Sequence, residues 1–163
     1  MNRIVTSTAI GILFLGGAIT AVAAVEHLPV DVRAAFEQTS NFESIRSVSV
    51  IPESVRVTFA SAVRDGPFAM AEPGAKWQAT DAVVEKNLPW RRLQAGAVSP
   101  ELLVLFYEHG GIGHSYHVCV FRVTPDGAQL VWRAIRPKAA VNLDDLNRAI
   151  RSGAVDDDLK NIF

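Results

Sequence analysis

Four apolar segments separated by short turn sequences fill residues 91–136, and they constrain the fold more than any other feature of the chain. The segments are RRLQAGAV, LLVLFYE, HSYHVCVFRV and AQLVWRAI. TPDG joins the last two, and a proline at its second position with a glycine at its fourth favours a tight turn. This pattern predicts an antiparallel meander. Because LLVLF is apolar at consecutive positions, both faces of the sheet must be covered, by helices on one side and by a second hairpin or a curled sheet on the other.

Helices are predicted at both ends of the globular region. In NLDDLNRAIRSG, Asn142 is a typical N-cap, Leu146 and Ile150 lie on one apolar face, and Gly153 ends the helix. A proline followed by apolar residues at helical spacing predicts a shorter amphipathic helix over residues 30–40.

The remaining segments complete the predicted α+β fold. Alternating apolar residues in SVSV and SVRVTFASA predict a hairpin with strands at 46–51 and 54–62. Residues 64–90 are predicted to be a long irregular connection with one short strand at 77–82, and connections of this length often form a lid or a binding edge. The expected sheet therefore has about six strands, including the meander at 91–136, with a short N-terminal helix and a C-terminal helix packed on it.

The first residues indicate export. A short basic start is followed by an uncharged apolar run that ends in small residues, which is typical of a signal peptide over residues 1–24. Cleavage after Ala23 or after Ala24 satisfies the small-residue rule, and residues 25–163 are then a single domain with a periplasmic or secreted location. An uncleaved leader is the alternative, since about 20 apolar residues can span a bilayer.

Charge and cysteine content narrow the function classes. Loss of Arg3 with the leader takes the formal net charge from −1 to −2, and no basic stripe supports nucleic-acid binding. Membrane attachment is expected only through an uncleaved leader. Cys119 is the single cysteine, so an intrachain disulfide is impossible, and its apolar neighbours predict a buried thiol.

The chemistry-bearing residues concentrate in 107–117, which read YEHGGIGHSYH. If GGIG is a four-residue hairpin loop, His109 lies opposite His114 and the two imidazoles share a face, which suits a zinc, copper or nickel ion. A tight metal site needs a further ligand, for which Asp81 or Glu85 on the long connection are the candidates.

The same register places the other polar residues of this stretch. Tyr107 and Tyr116 become the next pair on the face of the two imidazoles, and His117 points to the opposite face, near Phe106 and diagonal to Glu108. His117 and Glu108 are therefore less favoured metal ligands. Burial of His117 in the sheet predicts a lowered pKa for its imidazole.

Two further sites are conceivable from sequence. Cleavage after Ala24 gives a mature chain beginning with valine, glutamate and His27, which can chelate copper or nickel through its amine, backbone nitrogens and imidazole. Ser115 in GHSYH is close to a nucleophile-elbow motif, but the residues after it predict a strand where a hydrolase needs a helix. The favoured interpretation is a small exported binding or interaction protein without catalysis, whose partner is an unidentified protein or small molecule and which needs no cofactor.

Overall fold

The computed structural model describes residues 27–64, 66–83 and 85–157, and within these ranges the protein has an α+β fold. Five strands form one antiparallel sheet in the order β1-β2-β3-β4-β5. The elements in chain order are α1 (Val30–Phe36), β1 (Glu43–Ile45), α2 (Glu53–Val63), β2 (Arg91–Val98), β3 (Leu102–His109), β4 (Ser115–Thr124), β5 (Gly127–Ile135) and α3 (Leu143–Arg151). The helices found in these ranges are all too short or too polar to cross a membrane. The predicted signal peptide at 1–24 lies outside the described residues.

The predicted meander is confirmed, because β2 to β5 pair consecutively and antiparallel. Alternation along β3 divides its side chains between two apolar clusters. Leu103 and Leu105 belong to one cluster, and Val104 and Phe106 belong to the other. Both faces of the sheet are therefore buried, as consecutive apolar residues require.

Helices cover both faces of the sheet. Val32 of α1 and Leu146 of α3 pack with Val104 and Phe106 on one side, which we call the α1/α3 face. Phe59 of α2 packs with the other cluster, on what we call the α2 face. The prediction that a second hairpin or a curled sheet covers this second side was wrong, since a helix does so.

The predicted hairpin at 46–51 and 54–62 is not formed, because most of its second strand is α2. Val55 and Phe59 are buried, whereas Val57 between them is 57% exposed. An exposed Val57 contradicts a strand with Val55, Val57 and Phe59 on one buried face, but it suits a helix, in which residues four apart share a face and residues two apart do not. The range of the first predicted strand instead contains a short 3₁₀ turn at Val48–Val50, and β1 ends just before it at Ile45. The sheet therefore has five strands where about six were expected.

The two terminal helices are confirmed. The side chain of Asn142 accepts a hydrogen bond from the backbone N–H of Asp145 at 2.9 Å, which caps α3, and Gly153 adopts a left-handed φ of 69° just after its end. α1 ends at Phe36, earlier than the predicted limit at residue 40.

The described residues of the long connection at 64–90 are irregular and pack against the end of the sheet. Isolated parallel bridges join Ala71 to Arg92 and Thr80 to Gly111. The predicted strand at 77–82 is reduced to the single bridge at Thr80. The connection therefore holds the β3–β4 hairpin by its loop.

The β3–β4 register differs by one residue from the expected one. His109 pairs with Ser115, so the hairpin loop comprises the five residues 110–114 and His114 is not in the strand. Consequently every side chain of β4 points to the face opposite to the predicted one. His117 lies across from Tyr107, on the α2 face.

Candidate functional site

A buried carboxylate organises the polar end of the hairpin on the α1/α3 face. The side chain of Glu108 is only 4% exposed. Its two oxygens accept a hydrogen bond from Arg92 Nε at 2.6 Å and contact His114 Nε2 at 2.9 Å. Arg92 and Glu108 are cross-strand partners, so their side chains share this face, whereas His114 reaches the carboxylate from the loop. Pairing compensates the buried negative charge and fixes both partners in place.

Aromatic rings contact both of these partners. Trp77, on the connection, lies edge-on to the ring of His114 at 5.2 Å between centroids. The Arg92 guanidinium carbon is 5.0 Å from the centroid of the Trp77 ring. The ring of Tyr116 also packs against His114, with 4.9 Å between centroids. Trp77 and Tyr116 are both half-buried. We call Trp77, Arg92, His114 and Tyr116 the hairpin-end surface.

Two further cations flank this surface. Arg136 is buried and donates from Nε to the backbone oxygen of His117 at 2.9 Å and from Nη2 to Gln94 Oε1. Burial lowers the pKa of Arg136 to about 10, so it stays protonated at neutral pH. Lys138 is exposed, with Nζ 5.9 Å from the centroid of the Tyr116 ring. The charges that reach solvent here are thus cationic, because the one carboxylate of the cluster is buried.

The other face of the hairpin holds a separate cluster around His117. His117 Nε2 is 2.7 Å from Ser115 Oγ, its ring stacks on Tyr107 at 5.1 Å, and the ring of His109 lies 6.0 Å away. Nδ1 of His117 has no hydrogen-bond partner in the described part of the chain. Burial, followed by the positive charges of His109 and of nearby arginines, lowers the pKa of His117 to about 3. The predictions that His117 is buried and that its pKa is lowered are both confirmed.

The sheet separates the components that a serine hydrolase would need together. Ser115 contacts His117, but no carboxylate in the described ranges orients that imidazole through Nδ1. Glu108 contacts a different imidazole, that of His114, on the opposite face. Ser115 also begins a strand, without the strand-turn-helix context of a nucleophile elbow. Within the described ranges, Ser115, His117 and a carboxylate are therefore not assembled into a Ser-His-Asp type of relay.

The metal-ligand candidates are not brought together as expected. His109 contacts His117 on the α2 face, whereas His114 contacts Glu108 on the α1/α3 face, so the predicted pairing of His109 with His114 was wrong. Within the described residues, no group of three or more His, Cys, Asp or Glu side chains is placed to hold an ion. The cations around His117 also oppose a bound metal ion.

The outlying candidates do not join the cluster either. Glu85 pairs with Lys76 at 3.3 Å, and Asp81 is exposed. His27 is exposed, with Nδ1 3.9 Å from a carboxylate oxygen of Asp157. Metal binding, including chelation by a mature terminus near His27, stays a prediction. The buried state of Cys119 is confirmed, and burial raises the pKa of its thiol to about 11.

Sequence reasoning missed two members of the hairpin-end surface. Arg92 is the second of two consecutive arginines at the start of β2, and alternation alone sends it to the face opposite to Arg91. Trp77 belongs to the irregular connection and had no periodic signal. The length of that connection pointed to a lid or a binding edge, but not to the residue that contacts His114.

No family model matches this chain, and no curated protein or solved structure is significantly similar to it.

Proposed function

We propose that this chain is a small exported protein that binds a partner without catalysis and uses the hairpin-end surface for recognition. The observation that carries the proposal is the buried Glu108 carboxylate, which holds Arg92 against the ring of Trp77 and His114 against the rings of Trp77 and Tyr116. Tryptophan, tyrosine and arginine dominate the energetics of protein interfaces, and rigid side chains lose little entropy when they bind. Because Glu108 already holds these side chains in place, the hairpin-end surface is preorganised for binding a partner.

The hairpin loop extends this surface with an apolar residue. Ile112 is 96% exposed at the tip of the loop, between Gly111 and Gly113. Single exposed apolar residues are common, but this one lies on the same loop as His114, next to an aromatic and cationic cluster. An apolar anchor beside aromatic and arginine side chains is the composition expected of an interface centre.

A capture experiment tests the recognition surface. The mature domain, immobilised through its C-terminus, is expected to retain a specific partner from an extract of the source organism. Trp77→Ala and Tyr116→Ala should each reduce the retained amount about tenfold, as loss of an interface anchor typically does. Val30→Ala is the matched control, since Val30 is 84% exposed on α1 and lies outside the surface. Partner retention that is equal for all three variants would contradict the proposal.

The exported location is tested separately by intact mass. When the full chain is produced in a bacterial host, the purified protein should begin at Ala24 or Val25, because the leader ends in small residues. Recovery of the intact chain in the membrane fraction would instead indicate a retained anchor. This result would change the location in the proposal, but not its recognition surface.

A further inference from the structure

A second candidate site lies on the other side of strand β2. An open groove of about 530 Å³ runs between the start of α2 and the connection. Its lining includes Arg56, Phe68, Met70, Lys86, Trp90 and Arg91. Arg91 points to this side, whereas the next residue, Arg92, belongs to the hairpin-end surface, so the two sites are separate. The volume is within the usual range of small-molecule sites, which is about 300 to 1,000 Å³.

Arg56 is held rigidly in the wall of the groove. Its Nε donates to the backbone oxygen of Ile51 at 2.9 Å, and its Nη2 donates to those of Val48 and Ser49 at 2.9 and 3.3 Å. Its guanidinium carbon also lies 5.5 Å from the centroid of the Phe68 ring. Its Nη1 donors are not used by any hydrogen bond within the described ranges. A fixed guanidinium with unused donors is a suitable anchor for an anion, because little side-chain entropy remains to be lost.

Lys86 supplies a second positive charge on the connection side. It is exposed and forms no ion pair with any described residue. The described lining residues include no aspartate or glutamate. The charged side chains among the described lining residues are basic, and together they attract anions to the groove.

The remainder of the lining is apolar. Phe68 packs edge-on against Phe59 of the core at 5.6 Å, so its position is fixed from behind. Met70 is buried beside it, and Trp90 is 37% exposed. Aromatic and methionine side chains offer a contact surface for an aliphatic chain or a ring.

We infer that the groove binds a small amphipathic carboxylate, whose charged end lies between Arg56 and Lys86 and whose apolar part contacts Phe68, Met70 and Trp90. Charge complementarity selects a carboxylate over an amine, and the aromatic lining selects a ligand with an apolar part over a bare ion. This site is independent of the proposed recognition surface.

Calorimetric titration with octanoate tests the inference on the mature domain. Octanoate should bind, and three control compounds should bind at least about tenfold more weakly. Acetate has no long apolar chain, 1-octanol has no charge, and octylammonium has a positive charge instead of a negative one. Lys86→Gln should weaken octanoate binding about threefold to fivefold, as expected for one exposed charge. Arg33→Gln makes the same change of charge on α1, outside the groove and the hairpin-end surface, and should leave octanoate binding unchanged.

Either of two results would overturn the inference. One is octanoate binding no tighter than that of 1-octanol or acetate, and the other is equal affinity in wild type and Lys86→Gln. Arg56→Gln should have a larger effect than Lys86→Gln, but it also removes the hydrogen bonds that hold residues 48–51 and can unfold the domain. Lys86→Gln has no such role, so it decides the question even if Arg56→Gln does not fold.

Discussion

Between pH 6.5 and about 3, the free energy of unfolding should fall by roughly 4 kcal/mol through His117 alone. Burial and the nearby charges of His109 and Arg91 keep the folded imidazole neutral down to about pH 3, whereas the unfolded imidazole takes up a proton below 6.5. The unfolded state therefore binds up to one more proton within this window, and the stability must decrease as the pH falls. In the middle of the window each pH unit removes about 1.4 kcal/mol, and near its two ends each unit removes less.

His117→Gln isolates this contribution from that of the carboxylates, which also titrate in acid. Glutamine can still hydrogen-bond Ser115 but cannot be protonated, so the variant should be less stable than wild type at pH 7. Its disadvantage should shrink by about 2 kcal/mol between pH 6.5 and pH 5, as measured by urea denaturation. Parallel loss of stability in both proteins, or an NMR titration that places the pKa of His117 near 6.5, would show that the imidazole is hydrated in the folded state.

The elements predicted correctly are those whose signals are local. The turn between Thr124 and Gly127, the cap at Asn142 and the glycine after α3 each specify backbone geometry within a few residues. The double apolar face of β3 also required cover on both sides, and the structure provides it with helices. These features could therefore be predicted from neighbouring residues alone.

The segment at 54–62 was misread because the sequence satisfies two periodicities. Val55 and Phe59 are four residues apart, a spacing that puts them on one face of a strand and also on one face of a helix. Pro52 just before the segment and Glu53 in its first turn are helix-start signals, and they resolve the ambiguity in favour of α2. The alternation of three apolar residues was the weaker signal.

The candidate site could be located from sequence but not assembled. Glu108 and the histidines were correctly placed at the end of the β3–β4 hairpin. The way they divide between the two faces depends on a one-residue register, which in turn depends on a loop held by a distant segment. Trp77 reaches His114 from across the fold, and no local pattern near either residue encodes that contact.

The contact between the connection and the hairpin loop leads to the second large effect. Gly110→Ala should lower the free energy of unfolding by about 3 kcal/mol or more. A Cβ atom at position 110 would lie 1.9 Å from the backbone oxygen of Gln78 and 2.9 Å from backbone atoms of Ala79. Backbone cannot rotate away as a side-chain end can, so the connection must separate from the hairpin. The hydrogen bond from the Gly110 N–H to the Trp90 oxygen, 3.0 Å long, would be lost with it.

Gly113 in the same loop provides the matched control. A Cβ atom there would meet nothing within 4 Å, so Gly113→Ala should change the free energy of unfolding by less than about 1 kcal/mol. Urea denaturation of both variants gives the difference directly. Because Trp77 is carried by the connection, Gly110→Ala should also disrupt the hairpin-end surface and reduce partner retention, whereas Gly113→Ala should preserve both. Equal stability of the two variants would show that the connection does not pack against the hairpin at Gly110. The packing that holds the five-residue loop, and with it the contact between His114 and Glu108, would then be absent.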